Sequence, residues 1–207
     1  MRLTGGGDWM TNRQIAAAET RRRLVEAAKN IICEKGLSNT QIEEITDACG
    51  VSKGTFYTYF KRKEDIVFEL SEGMFDEILA NAKACEGTII DKLINYMMNF
   101  SGYIEKSSVK LAQEWIKNVV DPDISDVGTN KLNKDLSAVS ELLQSGVETG
   151  LLKESTPVDR LSYTVNDLLY GQMLCWAIRG GAYSFEVRTK EFCEMYLDAL
   201  MKPYLIG

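Results

Sequence analysis

The sequence predicts an all-α fold in which a small N-terminal domain of three helices precedes a larger helical C-terminal domain. Only three of the 207 residues are proline, whereas Ala, Leu, Glu and Lys, which favour helices, recur throughout. Charge divides the chain, because residues 1–66 hold 11 Lys and Arg against 9 Asp and Glu, and residues 67–207 hold 13 against 21. These net charges of +2 and −8 indicate two parts with different tasks.

The N-terminal domain is predicted over residues 18–66, after a flexible leader of residues 1–17. Leu24, Ala28 and Ile32 recur at helical spacing and predict an amphipathic first helix. Gly36 follows this helix and is expected to close it in the left-handed conformation.

The next two helices are short and are joined by a tight turn. Thr40 and Glu43 have capping-box spacing, so the second helix is predicted to start at Thr40. Gly50 supplies the positive φ of the turn, and Ser52 can cap a third helix that ends near Phe60. Two short helices around a glycine turn form a helix-turn-helix, although this pattern alone is a weak indication of function.

The third helix carries aromatic and basic residues side by side. Gly54 at its start costs about 1 kcal/mol relative to alanine, and close approach of a phosphate would account for it. Lys53, Tyr57 and Tyr59 can donate to the same sugar-phosphate chain, and this cluster favours binding to a nucleic acid. Thr55 and Thr58 are predicted to set sequence preference, whereas Phe56 and Phe60 should face the core.

Other classes of function stay open at this point. A helical enzyme or a protein-interaction adaptor could carry the same corner, but neither explains the clustered cations and tyrosines. The sequence has no histidine, no C-x-x-C pair and no P-loop, so neither catalysis nor a metal or cofactor is predicted. Arg21, Arg22 and Arg23 fit an additional DNA contact and a solvated basic face equally well.

The stretch IEEITDACGVSKGTFYTYFKRKEDI resembles the DNA-binding domain of the TetR family of bacterial transcriptional repressors. The resemblance covers residues 18–66 by motif. Thr46 and Cys49 depart from the usual alanines, and Arg62 replaces a capping Ser or Thr, which leaves the fourth helix poorly capped. The resemblance and the residues together predict the contacts to double-stranded DNA as Thr40, Ser52, Lys53, Gly54, Thr55, Tyr57, Thr58, Tyr59, Lys61 and Lys63.

Residues 67–207 are predicted to form a ligand-binding and dimerisation domain. Helical patterns cover residues 63–85, 88–104, 109–120, 131–149, 158–179 and 185–200, and DPDISDVGTN is the clearest loop. A homodimer that reads a palindromic operator is expected, because one helix-turn-helix buries too little surface for specific binding. Its partner surface is predicted from two apolar stripes, which could also face only the core: Leu161, Val165, Leu168, Gln172, Phe192, Tyr196 and Leu200.

The family resemblance also implies a small-molecule effector, bound among the C-terminal helices, that releases the DNA. Aromatic residues and methionines at helical spacing fit an apolar or aromatic ligand, although such residues more often form plain core. The charge of −8 adds the possibility of a cationic one. The predicted ligand residues are Tyr96, Phe100, Tyr103, Trp115, Tyr170, Met173 and Trp176. The chain shows neither a signal peptide nor a long uncharged apolar run, so a cytoplasmic protein without membrane contact is expected.

Overall fold

The computed structural model describes residues 11–120 and 125–206, and it confirms an all-α fold with no β-sheet in that part of the chain. The chain divides into two compact units between Ile66 and Val67. The helices are α1 (Asn12–Lys35), α2 (Ile42–Cys49), α3 (Lys53–Tyr59), α4 (Asp65–Ala84), α5 (Ile89–Ser107), α6 (Val109–Val119), α7 (Ser125–Glu148), α8 (Val158–Ile178), α9 (Phe185–Phe192) and α10 (Asp198–Met201).

Helix α1 starts earlier than predicted, because Thr11 and Gln14 form a capping box ahead of Asn12. The predicted leader is therefore wrong from residue 12 onward, and residues 1–10 lie outside the described part. Gly36 ends α1 with φ 83° and ψ 157°, which is a positive φ but not the left-handed helical conformation predicted. Its N–H donates to the Ile32 carbonyl at 2.8 Å and satisfies one free group of the helix end.

The helix-turn-helix forms from local contacts. The capping box of α2 is Gln41 with Glu44, one residue later than predicted from Thr40. Gly50 is left-handed at φ 65° and ψ 35°, as predicted, and the Ser52 hydroxyl accepts the Thr55 N–H at 3.1 Å. These caps fix where α2 ends and where α3 begins.

The turn before helix α4 has a side-chain contact that the sequence prediction missed. The Asp65 carboxylate accepts the N–H groups of Lys61 and Arg62, each at 2.9 Å. An acidic side chain in the first turn also suits the positive end of the helix dipole. The Arg62 side chain supplies no acceptor to this helix, so the contact of Asp65 orders the turn while the weak capping by Arg62 stays a prediction.

The second unit packs α5, α7, α8 and α9 around one core. Helix α7 packs along α8, and α5 packs along α9. Leu93, Met97 and Phe100 of α5 are buried in this core with Val139 and Leu142 of α7. Among the helices that the structure describes, none combines the length and apolarity that crossing a membrane requires.

Two helix boundaries in this unit differ from the prediction. Helix α7 begins at Ser125, so part of DPDISDVGTN is helical, and residues 121–124 lie outside the described part. The predicted last helix is interrupted by a π-helical turn at Cys193–Leu197 between α9 and α10.

Candidate DNA-binding surface and ligand cavity

Helix α3 presents polar residues on one side and buries its aromatic residues on the other. Phe56 and Phe60 are buried, as predicted, and their ring centroids lie 5.4 Å apart. Tyr57 is half exposed, and Ser52, Lys53, Thr58 and Lys61 are exposed; Thr55 and Tyr59 are partly exposed. The side of α3 that was predicted to contact DNA is thus open to solvent.

Gly54 has no packing reason to be a glycine. A Cβ atom at this position would meet only the Ser52 hydroxyl oxygen, at the ordinary contact distance of 3.6 Å. The glycine therefore relieves no crowding within the chain, which is consistent with close approach of an outside group to the start of α3.

Lys53 is not a free cation in this structure. Its ammonium group donates to the carboxylate of Glu43 on α2. This hydrogen bond lowers the pKa of Glu43 and raises the pKa of Lys53. A phosphate that binds Lys53 must compete with Glu43.

Two of the predicted DNA contacts, Thr40 and Lys63, use their side chains inside the unit. Thr40 is buried, and its hydroxyl donates to the Gly36 carbonyl at 2.8 Å. The Lys63 ammonium donates to the carbonyls of Leu37 and Thr40 at 2.8 and 3.1 Å. Both residues tie the α1–α2 connection together rather than face a phosphate.

The three consecutive arginines of α1, Arg21, Arg22 and Arg23, also make contacts within their unit. Arg23 donates to the Cys49 carbonyl, while the Cys49 thiol donates to the Arg23 carbonyl at 3.2 Å. Arg22 pairs with Glu19 at 2.8 Å, and Arg21 lies over the Phe60 ring at 5.2 Å. For Arg23 and Arg21 these contacts favour a structural role.

The second unit contains a cavity of about 60 Å³ walled by five helices. Apolar and aromatic side chains dominate its lining. The lining residues are Leu70 and Phe75 of α4; Phe100, Tyr103, Ile104 and Ser107 of α5; Ser108, which precedes α6; Leu111, Ala112 and Trp115 of α6; Lys131 and Asp135 of α7; and Tyr170 and Met173 of α8. The Tyr103 hydroxyl donates to the Leu70 carbonyl at 2.8 Å and so joins α5 to α4.

Five of the predicted ligand residues line this cavity, namely Phe100, Tyr103, Trp115, Tyr170 and Met173. Two do not. Tyr96 is fully buried in the main core beneath them, and burial raises the pKa of its hydroxyl. Trp176 stacks on Phe185 at 5.8 Å in a separate cluster and donates to the Tyr183 carbonyl at 2.9 Å.

An ion pair at the cavity wall was missed by the sequence prediction. Lys131 and Asp135 lie one turn apart on α7, and their side chains are only 7% and 1% exposed. The Tyr170 hydroxyl also donates to Asp135, and the Lys131 ammonium lies 3.7 Å from the centre of the Phe75 ring. Burial lowers the pKa of Lys131, and Asp135 opposes this shift.

A signal for this pair exists in the sequence. Lys131 and Asp135 precede Val139 and Leu142 at spacings of four, four and three residues. They therefore continue the apolar stripe of α7 onto the buried face. Their helical spacing from the apolar residues thus distinguishes these two charged residues from the exposed charged residues of the same helix.

The predicted dimer surface is only partly exposed. Leu161 and Val165 are buried in the core of their own unit, so placing them at a partner surface was wrong. Tyr196 is exposed, and the others are half-buried: Leu168, Gln172, Phe192 and Leu200. The prediction missed further exposed apolar residues on α8, α9 and the π-helical turn, which are Tyr163, Leu174, Ile178, Val187 and Met195.

An exposed helix-turn-helix joined to a helical unit with an apolar cavity defines a ligand-responsive DNA-binding regulator. Residues 24–70 match the model of bacterial regulatory proteins of the tetR family. The N-terminal unit thus carries the DNA-binding domain of the TetR family of transcriptional regulators.

Relatives extend this similarity along most of the chain. The HTH-type transcriptional repressor KstR2 of Rhodococcus jostii (strain RHA1) is 23% identical over 190 residues, which cover 89% of this chain and 92% of the relative. The fatty acid metabolism regulator protein of Bacillus subtilis (strain 168) is 22% identical over 188 residues, which cover 86% and 94%.

Two solved structures share the fold. FadR from Bacillus subtilis in complex with stearoyl-CoA has a TM-score of 0.67 at 20% identity, over 84% of this chain and 96% of that one. Thermus thermophilus FadR in complex with lauroyl-CoA has a TM-score of 0.68 at 21% identity, over 87% and 94%.

Proposed function

We propose that this regulator is a cytoplasmic repressor that binds a palindromic operator as a homodimer and releases it when an acyl-type effector enters the α4–α8 cavity. The observation that carries the proposal is that Leu70 and Phe75, two residues of the cavity wall, belong to α4. Helix α4 starts at Asp65 in the first unit and ends at Ala84 in the second. A change at the cavity wall therefore acts on the helix that joins the two units.

The proposed DNA contacts are those residues of α3 and its flanks that the structure leaves accessible. Lys53, Tyr57 and Lys61 would bind phosphates, and Thr55 and Thr58 would contact base edges in the major groove. Substitutions at the first group are expected to weaken binding to all sequences. Substitutions at the two threonines are expected to change which sequence is preferred.

The proposed dimer surface is the exposed apolar face of α8, α9 and the π-helical turn. Ile178 is 73% exposed and Met195 is 67% exposed, and Tyr163, Leu174 and Val187 are also open to solvent. Large apolar side chains grouped on one face mark an interaction surface. A second copy would cover this face and supply the second α3 that a palindrome requires.

The cavity is too small for a long ligand in this state. About 60 Å³ is room for a few water molecules, so an acyl chain must push the walls apart. Only a ligand that binds one state better than another can shift the balance between them. The small volume meets this condition, because a cavity that holds an acyl chain cannot keep the wall geometry described here.

The character of the lining supports an acyl effector over a cationic one. The aromatic and aliphatic wall suits an apolar chain, and the two FadR structures hold acyl-CoA molecules. Lys131 and Asp135 cancel each other's charge, so the cavity offers no unpaired carboxylate to a cation. The net charge of −8 on residues 67–207 therefore does not indicate a cationic effector.

Competition between lauroyl-CoA and operator tests the function. An operator would first be selected from a random DNA pool, and lauroyl-CoA is expected to release it in a fluorescence anisotropy titration. Ala112→Leu fills the cavity wall and should raise the lauroyl-CoA concentration needed for release about tenfold while operator affinity stays unchanged. The same substitution at exposed Ala80 of α4 is the matched control. Operator that stays bound at every lauroyl-CoA concentration would contradict the proposal.

A further inference from the structure

The Lys131–Asp135 pair is an unusual feature of the cavity wall. A buried ion pair seldom stabilises a fold more than apolar side chains of the same size would, because both charges lose their water. Every other cavity-lining residue except Ser107 and Ser108 is apolar or aromatic. Stability therefore gives little reason for charges at this position, and a buried charge in a cavity wall is a candidate for ligand recognition.

The hydrogen bonds of the pair leave donors, not acceptors, available to a ligand. Asp135 accepts from Lys131 on both carboxylate oxygens and from the Tyr170 hydroxyl as well. Lys131 has three N–H donors, and all hydrogen bonds that the described residues make to its ammonium involve Asp135. The remaining side of the ammonium faces the Phe75 ring.

The ammonium also holds the cavity wall to α4. Its distance of 3.7 Å from the Phe75 ring centre is that of a cation–π contact, which strengthens where water is excluded. The Tyr103 hydroxyl makes a second polar contact with α4, to the Leu70 carbonyl. Any ligand group that attracts the ammonium more strongly than the ring does would remove one of these two contacts.

We propose that Lys131 recognises the carbonyl oxygen of an acyl effector and that this hydrogen bond withdraws the ammonium from Phe75. This inference rests on the proposed function and assigns its specificity to one residue. A carbonyl oxygen accepts a hydrogen bond without displacing Asp135, so the buried pair stays intact. The apolar chain fills the widened cavity, and the loss of the Phe75 contact loosens α4 from α7.

A pair of probes that differ in one oxygen atom tests this assignment on the unmodified protein. Lauroyl-CoA has a thioester carbonyl. S-dodecyl-coenzyme A has the same 12-carbon chain and the same coenzyme but lacks the carbonyl oxygen. Trp115 lines the cavity, so its fluorescence reports binding. We expect the protein to bind the thioester about tenfold more tightly than the thioether, in line with a hydrogen bond to a charged donor.

Variants locate the preference at Lys131. Lys131→Met together with Asp135→Asn removes both charges at similar size and should bind the two probes equally. Lys134→Met on the same helix removes an exposed lysine that pairs with Asp76 and should keep the tenfold preference. A preference that survives in the double variant would overturn the role of Lys131.

Operator release separates the two proposals. At saturation, the thioester should release operator more completely than the thioether, because only the thioester withdraws the ammonium from Phe75. Equal binding and equal release by both probes would leave an acyl-responsive repressor but overturn the role of Lys131. If neither probe changes Trp115 fluorescence or operator binding, the acyl effector and the role of Lys131 fail together.

Discussion

At the proposed DNA-binding surface, Glu43 and a DNA phosphate would compete for the Lys53 ammonium group. Lys53 and Glu43 are both about half exposed, so their pairing contributes little to stability. Its effect falls instead on DNA binding, because a carboxylate beside α3 repels phosphates and holds the lysine away from them. Glu43 is thus expected to limit the part of the DNA affinity that does not depend on sequence.

Replacing Glu43 with Gln is expected to strengthen binding to random duplex DNA about threefold to tenfold at low salt, because a released Lys53 adds one phosphate contact. The melting temperature should hardly change. Fluorescence anisotropy at several salt concentrations measures both the affinity and a steeper salt dependence. Glu26→Gln, at an exposed carboxylate on α1, is the control. Equal affinities of the Glu43→Gln variant and the unmodified protein would show that the pair does not restrain Lys53.

The junction of α5 and α6 stores backbone strain at the cavity wall. Ser108 has φ 137° and ψ 149°, a conformation that is nearly confined to glycine and costs on the order of 1–3 kcal/mol for other residues. Its hydroxyl accepts the Leu111 N–H at 3.2 Å and thereby caps α6. The cap offsets only part of the strain.

Ser108→Gly is expected to raise the free energy of unfolding by about 1 kcal/mol, since glycine removes the strain and costs little as a cap. Ser108→Ala keeps the strain and loses the cap, so it should lower the same quantity by about 1 kcal/mol. Urea unfolding monitored by circular dichroism measures both changes. Destabilisation by both substitutions would show that Ser108 is not strained.

The elements that were predicted well are those fixed by local chemistry. Gly50 and Ser52 define the turn and the start of α3 without help from distant residues. The start of α7 was missed because DPDISDVGTN has the composition of a loop, although the chain is helical from Ser125. The π-helical turn after Phe192 has no local sequence signal that we can identify.

Within the ligand cavity, it was harder to predict how deeply a side chain is buried than which type of side chain lines the wall. Tyr96, Phe100 and Tyr103 share one face of α5 by spacing, yet only the last two reach the cavity. The same limit applies to α8, where Leu161 and Val165 turn inward while Tyr163 and Leu174 stay exposed. Periodicity identifies a helix face, but the packing of the other helices decides how far that face is covered.

The proposed homodimer would assemble through the exposed apolar face of α8 and α9. Ile178→Glu or Met195→Glu should convert the dimer to a monomer at micromolar concentration, because a charge would be buried in the interface without a partner. Operator affinity is expected to fall at least a hundredfold in the monomer. Light scattering measures the mass, and Leu132→Glu at an exposed leucine of α7 is the control. A variant that stays dimeric would place the partner surface elsewhere.

Operator and effector must oppose each other by the same factor in the whole molecule. If lauroyl-CoA weakens operator affinity, operator must weaken lauroyl-CoA affinity by the same factor. Coupling between two binding sites typically changes affinity by about 5-fold to 150-fold. The small cavity would give this linkage a physical origin, since the operator-bound state would have to keep walls that leave only about 60 Å³ between them. Titrating Trp115 fluorescence with lauroyl-CoA, with and without saturating operator, gives one factor; titrating labelled operator with and without saturating lauroyl-CoA gives the other. Two unequal factors would mean that lauroyl-CoA and operator do not act through one equilibrium, and an unchanged lauroyl-CoA affinity would exclude it as the effector.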